Sequence, residues 1–175
     1  MNGFLHLHEF GTWINSTALH AWARGITAGT EDKALLAVQI THVLTVCAIA
    51  GSIGIFSLRM MGVIEPGQPL AALARRLLPW TWGAILVQAL TGGFMILDRP
   101  ERAFDSLTFP YKMAFLLAAI VVTAVFHVTL HRDPDYWDRD RNRRLTARWL
   151  GALALVLWIG VIFAGRWIAY ERVPV

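Results

Sequence analysis

Residues 34–58 read ALLAVQITHVLTVCAIAGSIGIFSL, an unbroken run without Asp, Glu, Lys or Arg. A bilayer hydrocarbon core of about 30 Å takes roughly 20 helical residues at about 1.5 Å each, so this stretch is long enough to cross it. Three further stretches behave alike: 77–97 and 113–131 are equally uncharged, and 149–170 is interrupted only by Arg166. In hydrocarbon every backbone N–H and C=O must be satisfied internally, which makes these segments helices. The predicted fold class is all-α, an integral membrane four-helix bundle forming a single transmembrane domain over residues 1–175.

Working outward from the spans, residues 10–25 place Trp13, Ile14, Thr17, Ala18, Ala21 and Trp22 on one helical face. That pattern predicts an N-terminal interfacial amphipathic helix, with Trp13 and Trp22 as anchors at headgroup level. The N-terminus lacks a basic start and a continuous apolar run, so it does not read as a cleaved signal peptide, and the first span is expected to carry the insertion signal. GTEDK (29–33) breaks the chain before that span, and Glu65-Pro66-Gly67-Gln68-Pro69 marks the turn after it. Pro79 is expected in the first turn of the second span, and Asp98 to Pro110 in a loop.

The pI near 9.8 has no nucleic-acid motif beside it; the basic residues flank the spans, where anionic lipid is the natural counter-charge. Nine Lys and Arg fall on the side of the Arg59–Leu78 and Arg132–Arg148 connections, and seven on the other. The arginine-dense third connection therefore predicts a cytoplasmic position for those loops and a periplasmic position for both termini. The one cysteine, Cys47, lies within the first span, which leaves no disulfide framework and no cysteine zinc site.

Small residues indicate packing surfaces. Ala50-x-x-x-Gly54, with Gly51 beside it, permits close backbone approach on the first helix, and Thr91-Gly92-Gly93 does the same on the second. On the first helix the side bearing His42, Thr45, Ile49 and Ile53 lies opposite the Gly51 side. Burying one leaves the other for a different environment, and a partner subunit would supply it.

Three histidines carry the candidate chemistry: His42 in the first span, His127 in the third, and His131 at the end of the third. Polar side chains in hydrocarbon face a protein interior, a cavity or a cofactor. Imidazole is a common iron ligand, so His42 and His127 are candidate ligands of a metal or a b-type haem, with Lys112 and Arg166 placed to pair with its propionates. Counted from the span midpoints, however, His42 and His127 are offset by roughly 13 Å along the membrane normal. His42 is alternatively placed to meet His20 of the interfacial helix. No intramembrane Asp or Glu offers a proton relay or cation-coupling site, and no nucleophile–base pair or phosphate loop is present.

The segments QITHVLTVCAIAGSIGIFSLRMMG, LARRLLPWTWGAILVQALTGGFMIL, FPYKMAFLLAAIVVTAVFHVTLH and LWIGVIFAGRWIAY together resemble a family of small bacterial inner-membrane proteins with four spans. His42, Arg59, Leu78-Pro79-Trp80 and Gly165-Arg166 carry the resemblance, and the chain is distantly similar to membrane cytochromes b. The resemblance implies a bacterial inner-membrane setting and no established activity. The expected function is that of a non-catalytic subunit, without a cofactor, that docks among other integral membrane subunits of a respiratory or photosynthetic complex. The alternative is a haem b-binding, quinone-linked electron-transfer subunit.

Overall fold

The computed structural model describes residues 2–64, 67–168, 170 and 171. Its helices are α1 (Asn2–Asn15), α2 (Ala18–Gly29), α3 (Lys33–Met61), α4 (Leu70–Asp98), α5 (Pro100–Phe104), α6 (Phe109–Arg132) and α7 (Arg141–Trp167), with no strand among the described residues. α3, α4, α6 and α7 are long and apolar enough to cross a membrane, and the chain is a multi-pass membrane protein. At about 1.5 Å per residue they run about 36 to 44 Å, so their ends reach the headgroup layers.

Each long helix outruns its uncharged stretch, for local reasons. α3 ends on Gly62, whose φ of 77° is left-handed; its N–H reaches the Arg59 carbonyl at 3.0 Å and that of Val63 reaches Leu58 at 2.9 Å. α4 begins at Leu70, because Leu70, Ala71, Leu73, Ala74 and Leu78 recur at helical spacing and are buried. Pro79 therefore lies inside the helix rather than in its first turn. The hydrogen bond it forfeits is to the carbonyl of Arg75, in an exposed turn where water replaces it. α7 starts on Asp140, whose side chain accepts from the Arg143 N–H at 2.9 Å. Glu65 and Pro66, part of the expected turn, lie outside the described residues.

The single helix expected over 10–25 is two helices. The Ser16 hydroxyl donates to the Trp13 carbonyl at 2.7 Å and that of Thr17 to Ile14 at 2.6 Å, closing α1, while Thr17 Oγ1 accepts from the His20 N–H and starts α2. Hydroxyls that serve the backbone so well in a cap compete with helix continuation. α1 packs on α5, and α2 across the ends of α3 and α4.

Within the bundle α3 packs most extensively, against α4 on one side and α7 on the other; α6 completes the ring on α7 and meets α4 only briefly. The main core gathers Phe56, Phe126 and Trp137 with the buried side of α4's first turns, and a second cluster joins Ile49, Ile53, Ala119 and Trp158. The His42 side of α3 thus faces inward. The small-residue side does not pack within the chain: a Cβ added at Gly51 or Gly54 meets nothing within 4 Å, and neither does one at Gly93. Gly151 of α7 is the glycine that brings two long helices together, its hypothetical Cβ lying 3.0 Å from Met60 Cβ and 3.1 Å from the Ser57 carbonyl.

The outer surface is apolar, as a lipid-facing surface must be. Trp80 and Trp149 project at the end that carries the interhelical arginines, and Trp13, Trp22, Tyr111, Trp167 and Tyr170 at the opposite end. Aromatic belts of this kind mark the two headgroup levels.

Candidate functional site

The polar side chains of the spans form two separate centres. In the half nearer the termini, α3 presents His42 and Thr45 one turn apart, and α4 presents Gln88 and Thr91 at the same spacing. One proton assignment satisfies all four. Thr45 donates to Gln88 Oε1 at 2.5 Å, Gln88 Nε2 donates to His42 Nε2 at 2.6 Å, His42 Nδ1 donates to Thr91 Oγ1 at 2.8 Å, and Thr91 donates to the Val87 carbonyl at 2.8 Å. His42 is therefore the neutral Nδ1–H tautomer with both nitrogens engaged. Gly92 makes the room, since its Cβ would lie 3.2 Å from His42 Cε1.

Lys112 enters from the first turn of α6. Its aliphatic arm crosses Gly165 of α7, where a Cβ would meet Cε at 3.4 Å and Nζ at 3.6 Å. Its amine has no hydrogen bond or ion pair among the described residues. Arg166 turns away: its guanidinium donates to the Tyr170 hydroxyl at 2.7 Å and lies 4.8 Å over that ring.

The second centre is in the other half of the bundle. Trp82 Nε1 donates to His127 Nδ1 at 3.2 Å, which leaves the His127 proton on Nε2, and the rings of His127 and His131 stack at 6.2 Å. His127 meets α4 at residue 82, whereas His42 meets it at residues 88 and 91, so the two sites lie about 9 to 14 Å apart along that helix. The structure does not bring His42 and His127 to one point. Nor does His42 meet His20, which donates instead to the Leu97 carbonyl at 2.7 Å. Among the described residues no three His, Cys, Asp or Glu side chains gather at one place.

One polar residue that the sequence left in a loop is wholly buried. Asp98 closes α4 beneath α2, accepts from the Thr27 hydroxyl at 2.7 Å, and pairs with Arg24 at 3.5 Å and Arg99 at 3.2 Å. Its position directly after an apolar run reads as a span end. Only the docking of α2 makes it interior, and the available signal was the pair of arginines that flank it in space.

Residues 19–171 match the model of a family of unknown function, DUF6644. No curated protein and no solved structure matches the chain.

Proposed function

We propose that this chain, which belongs to the DUF6644 family of unknown function, is a non-catalytic membrane subunit that docks among other integral subunits of a larger bacterial inner-membrane complex, respiratory or photosynthetic in kind. The outward side of α3 carries the proposal. Cys47, Gly51 and Gly54 leave a shallow face on a helix that also exposes the bulky Leu36, Ile40, Leu44 and Ile55. In lipid, helices associate where small residues let backbones approach, so that face suits a partner helix better than acyl chains. The test is purification from native membranes in mild detergent, for wild type and for Gly51→Leu with Gly54→Leu. A partner retained by wild type and lost by the variant, at unchanged thermal stability, supports docking. Migration of wild type only as a lone 19.6 kDa species overturns it.

Both termini are proposed to face the periplasm, with the Arg132–Arg148 connection in the cytoplasm, on the density of arginine there. A cysteine placed at Asn142 after replacement of Cys47 stays unlabelled by an impermeant reagent in intact cells if this is right. Labelling reverses the topology.

A second reading, a haem b electron-transfer subunit linked to quinone, is favoured by Lys112, whose amine lies over Gly165 with no hydrogen bond or ion pair among the described residues and would be satisfied by an anionic group. In that reading His42, whose Nε2 now meets Gln88, would be the residue that holds the haem iron. A reduced-minus-oxidised spectrum of the pure protein decides it. Bands lost in His42→Ala and kept in His127→Ala would make this the leading reading, and no bands in fully loaded material would exclude it.

A further inference from the structure

A cavity lies away from the histidines, at the opposite end of the bundle, between the last turns of α3 and the first turns of α4. It measures about 660 Å³ and is lined by Ile55 and Arg59 from α3, Ile64 and Gln68 from the connection, and Leu73, Arg76 and Leu77 from α4. Arg59 and Arg76 are cationic, the other lining residues except Gln68 are apolar, and among the described residues no carboxylate belongs to it. Arg59 is buried and donates through Nε to the Gln68 carbonyl at 3.0 Å, and through a terminal amine to the same oxygen, which fixes its guanidinium at the mouth of the cavity. Arg76 is exposed and has no hydrogen bond or ion pair among the described residues.

Depth identifies the occupant. Trp80 lies one turn along α4 from Arg76 on the same face and is the most exposed large apolar residue of the described chain, as an interfacial tryptophan is. Arg76 is therefore about 6 Å further toward water, at the level of lipid phosphates. On α3, Ile55 lies one turn deeper than Arg59, and on α4 Leu77 lies on the deeper side of Arg76, so these two face the acyl region while Leu73 lies toward water. A soluble anion would use the arginines and leave the apolar wall uncovered. An amphiphile with an anionic head uses both, and the volume exceeds a phosphate but not a whole phospholipid, so it takes the head and the first methylenes.

We propose that this cavity is a binding site for an anionic phospholipid, with the phosphodiester held by Arg76 and Arg59 and the first methylenes of the acyl chains running down Ile55 and Leu77. The site lies at the arginine-rich end, where basic pockets between membrane helices recognise anionic headgroups. It holds whether or not α3 docks a partner.

The test is native mass spectrometry of the full chain with phosphatidylglycerol or phosphatidylcholine added in mild detergent. The expected result is preferential retention of phosphatidylglycerol, weakened about fivefold in Arg76→Gln, the change expected for one basic residue near a lipid headgroup. Arg141→Gln, an exposed arginine of the same end outside the cavity, retains wild-type binding. Leu77→Trp, which fills the apolar part without touching charge, also weakens retention, so the result does not depend on Arg59 variants folding. Equal retention in Arg76→Gln and wild type overturns the site. Loss in Arg141→Gln as large as in Arg76→Gln overturns it in favour of a diffuse field, and complete displacement by millimolar inorganic phosphate in favour of a free-anion site.

Discussion

Gly51 and Gly151 are both glycines of membrane helices, and one methyl group separates their roles. At Gly151 an added Cβ stands 3.0 Å from Met60 Cβ and 3.1 Å from a backbone oxygen, so the helices must part. Gly151→Ala is expected to destabilise the bundle by about 1–3 kcal/mol, the range for overpacking a tight site. Gly51→Ala meets open space and is expected to stay within about 0.5 kcal/mol of wild type. Reversible unfolding in detergent mixtures measures both, and equal costs would contradict the packing described. Thr91→Val removes the acceptor of His42 Nδ1–H at nearly constant volume. Interhelical hydrogen bonds in membranes average about 0.6 kcal/mol and reach about 1.7, because the separated helices find other partners, so a loss near 1 kcal/mol is expected by the same assay. The sequence marks His42, Gln88 and Thr91 as polar groups in hydrocarbon, but not that they serve one another. That depends on the register of α3 against α4. Periodicity states which residues share a face of one helix and is silent on the facing helix, so the depth offset of His42 and His127 is legible from the span midpoints and their separate partners on α4 are not.

The short helices at the terminal end are held by contacts of a different kind. His8 Nδ1 donates to Asp105 Oδ1 at 2.8 Å, Asn15 donates to Glu101 at 2.8 Å, and Phe10 meets Phe104 edge to face. The hydrogen bond to Asp105, and then its charge, raise the His8 pKa above the ordinary 6.5. A raised folded pKa means that this contact is at full strength below 6.5 and fades as pH climbs through the higher folded value. A spin label at Thr12, in a chain with Cys47 replaced, is therefore expected to be less mobile at pH 6 than at pH 8. Asp105→Asn abolishes that dependence. Asp98 acts at the same end on α2. Asp98→Ala takes from the Thr27 hydroxyl its partner on α4 and from Arg24 and Arg99 the carboxylate they share, and Trp22→Ala removes the ring contact with Phe94; each is expected to open α2 to protease at Arg24 while insertion persists. At this scale the four spans are plain in the sequence, because the absence of charge over twenty residues has one physical meaning. The break at Ser16 and Thr17 and the burial of Asp98 are not, since a hydroxyl can cap or decorate a helix and a carboxylate after a span can be solvated or covered. In both cases tertiary contact chooses.

Across the whole molecule the order of packing is uneven: α3 with α4, then α3 with α7, then α7 with α6, and only a short seam between α4 and α6. Chain order supplies two of these contacts directly, since α3 and α4 are consecutive and so are α6 and α7. The α3–α7 surface is the one that joins distant parts of the sequence, and Gly151 sits on it. Near the exposed Leu107 the chain runs between Ser106 and Thr108, whose hydroxyls donate to Glu171. This unevenness makes the protein divisible. Co-expressed as two polypeptides broken at Leu107, residues 1–106 and 108–175 should each insert as a helical hairpin and reassemble in the membrane, the second capturing the first through α7. Complementation measured by co-purification should survive Gly51→Ala and fail with Gly151→Ala, so a single glycine would set whether two halves of one chain recognise each other.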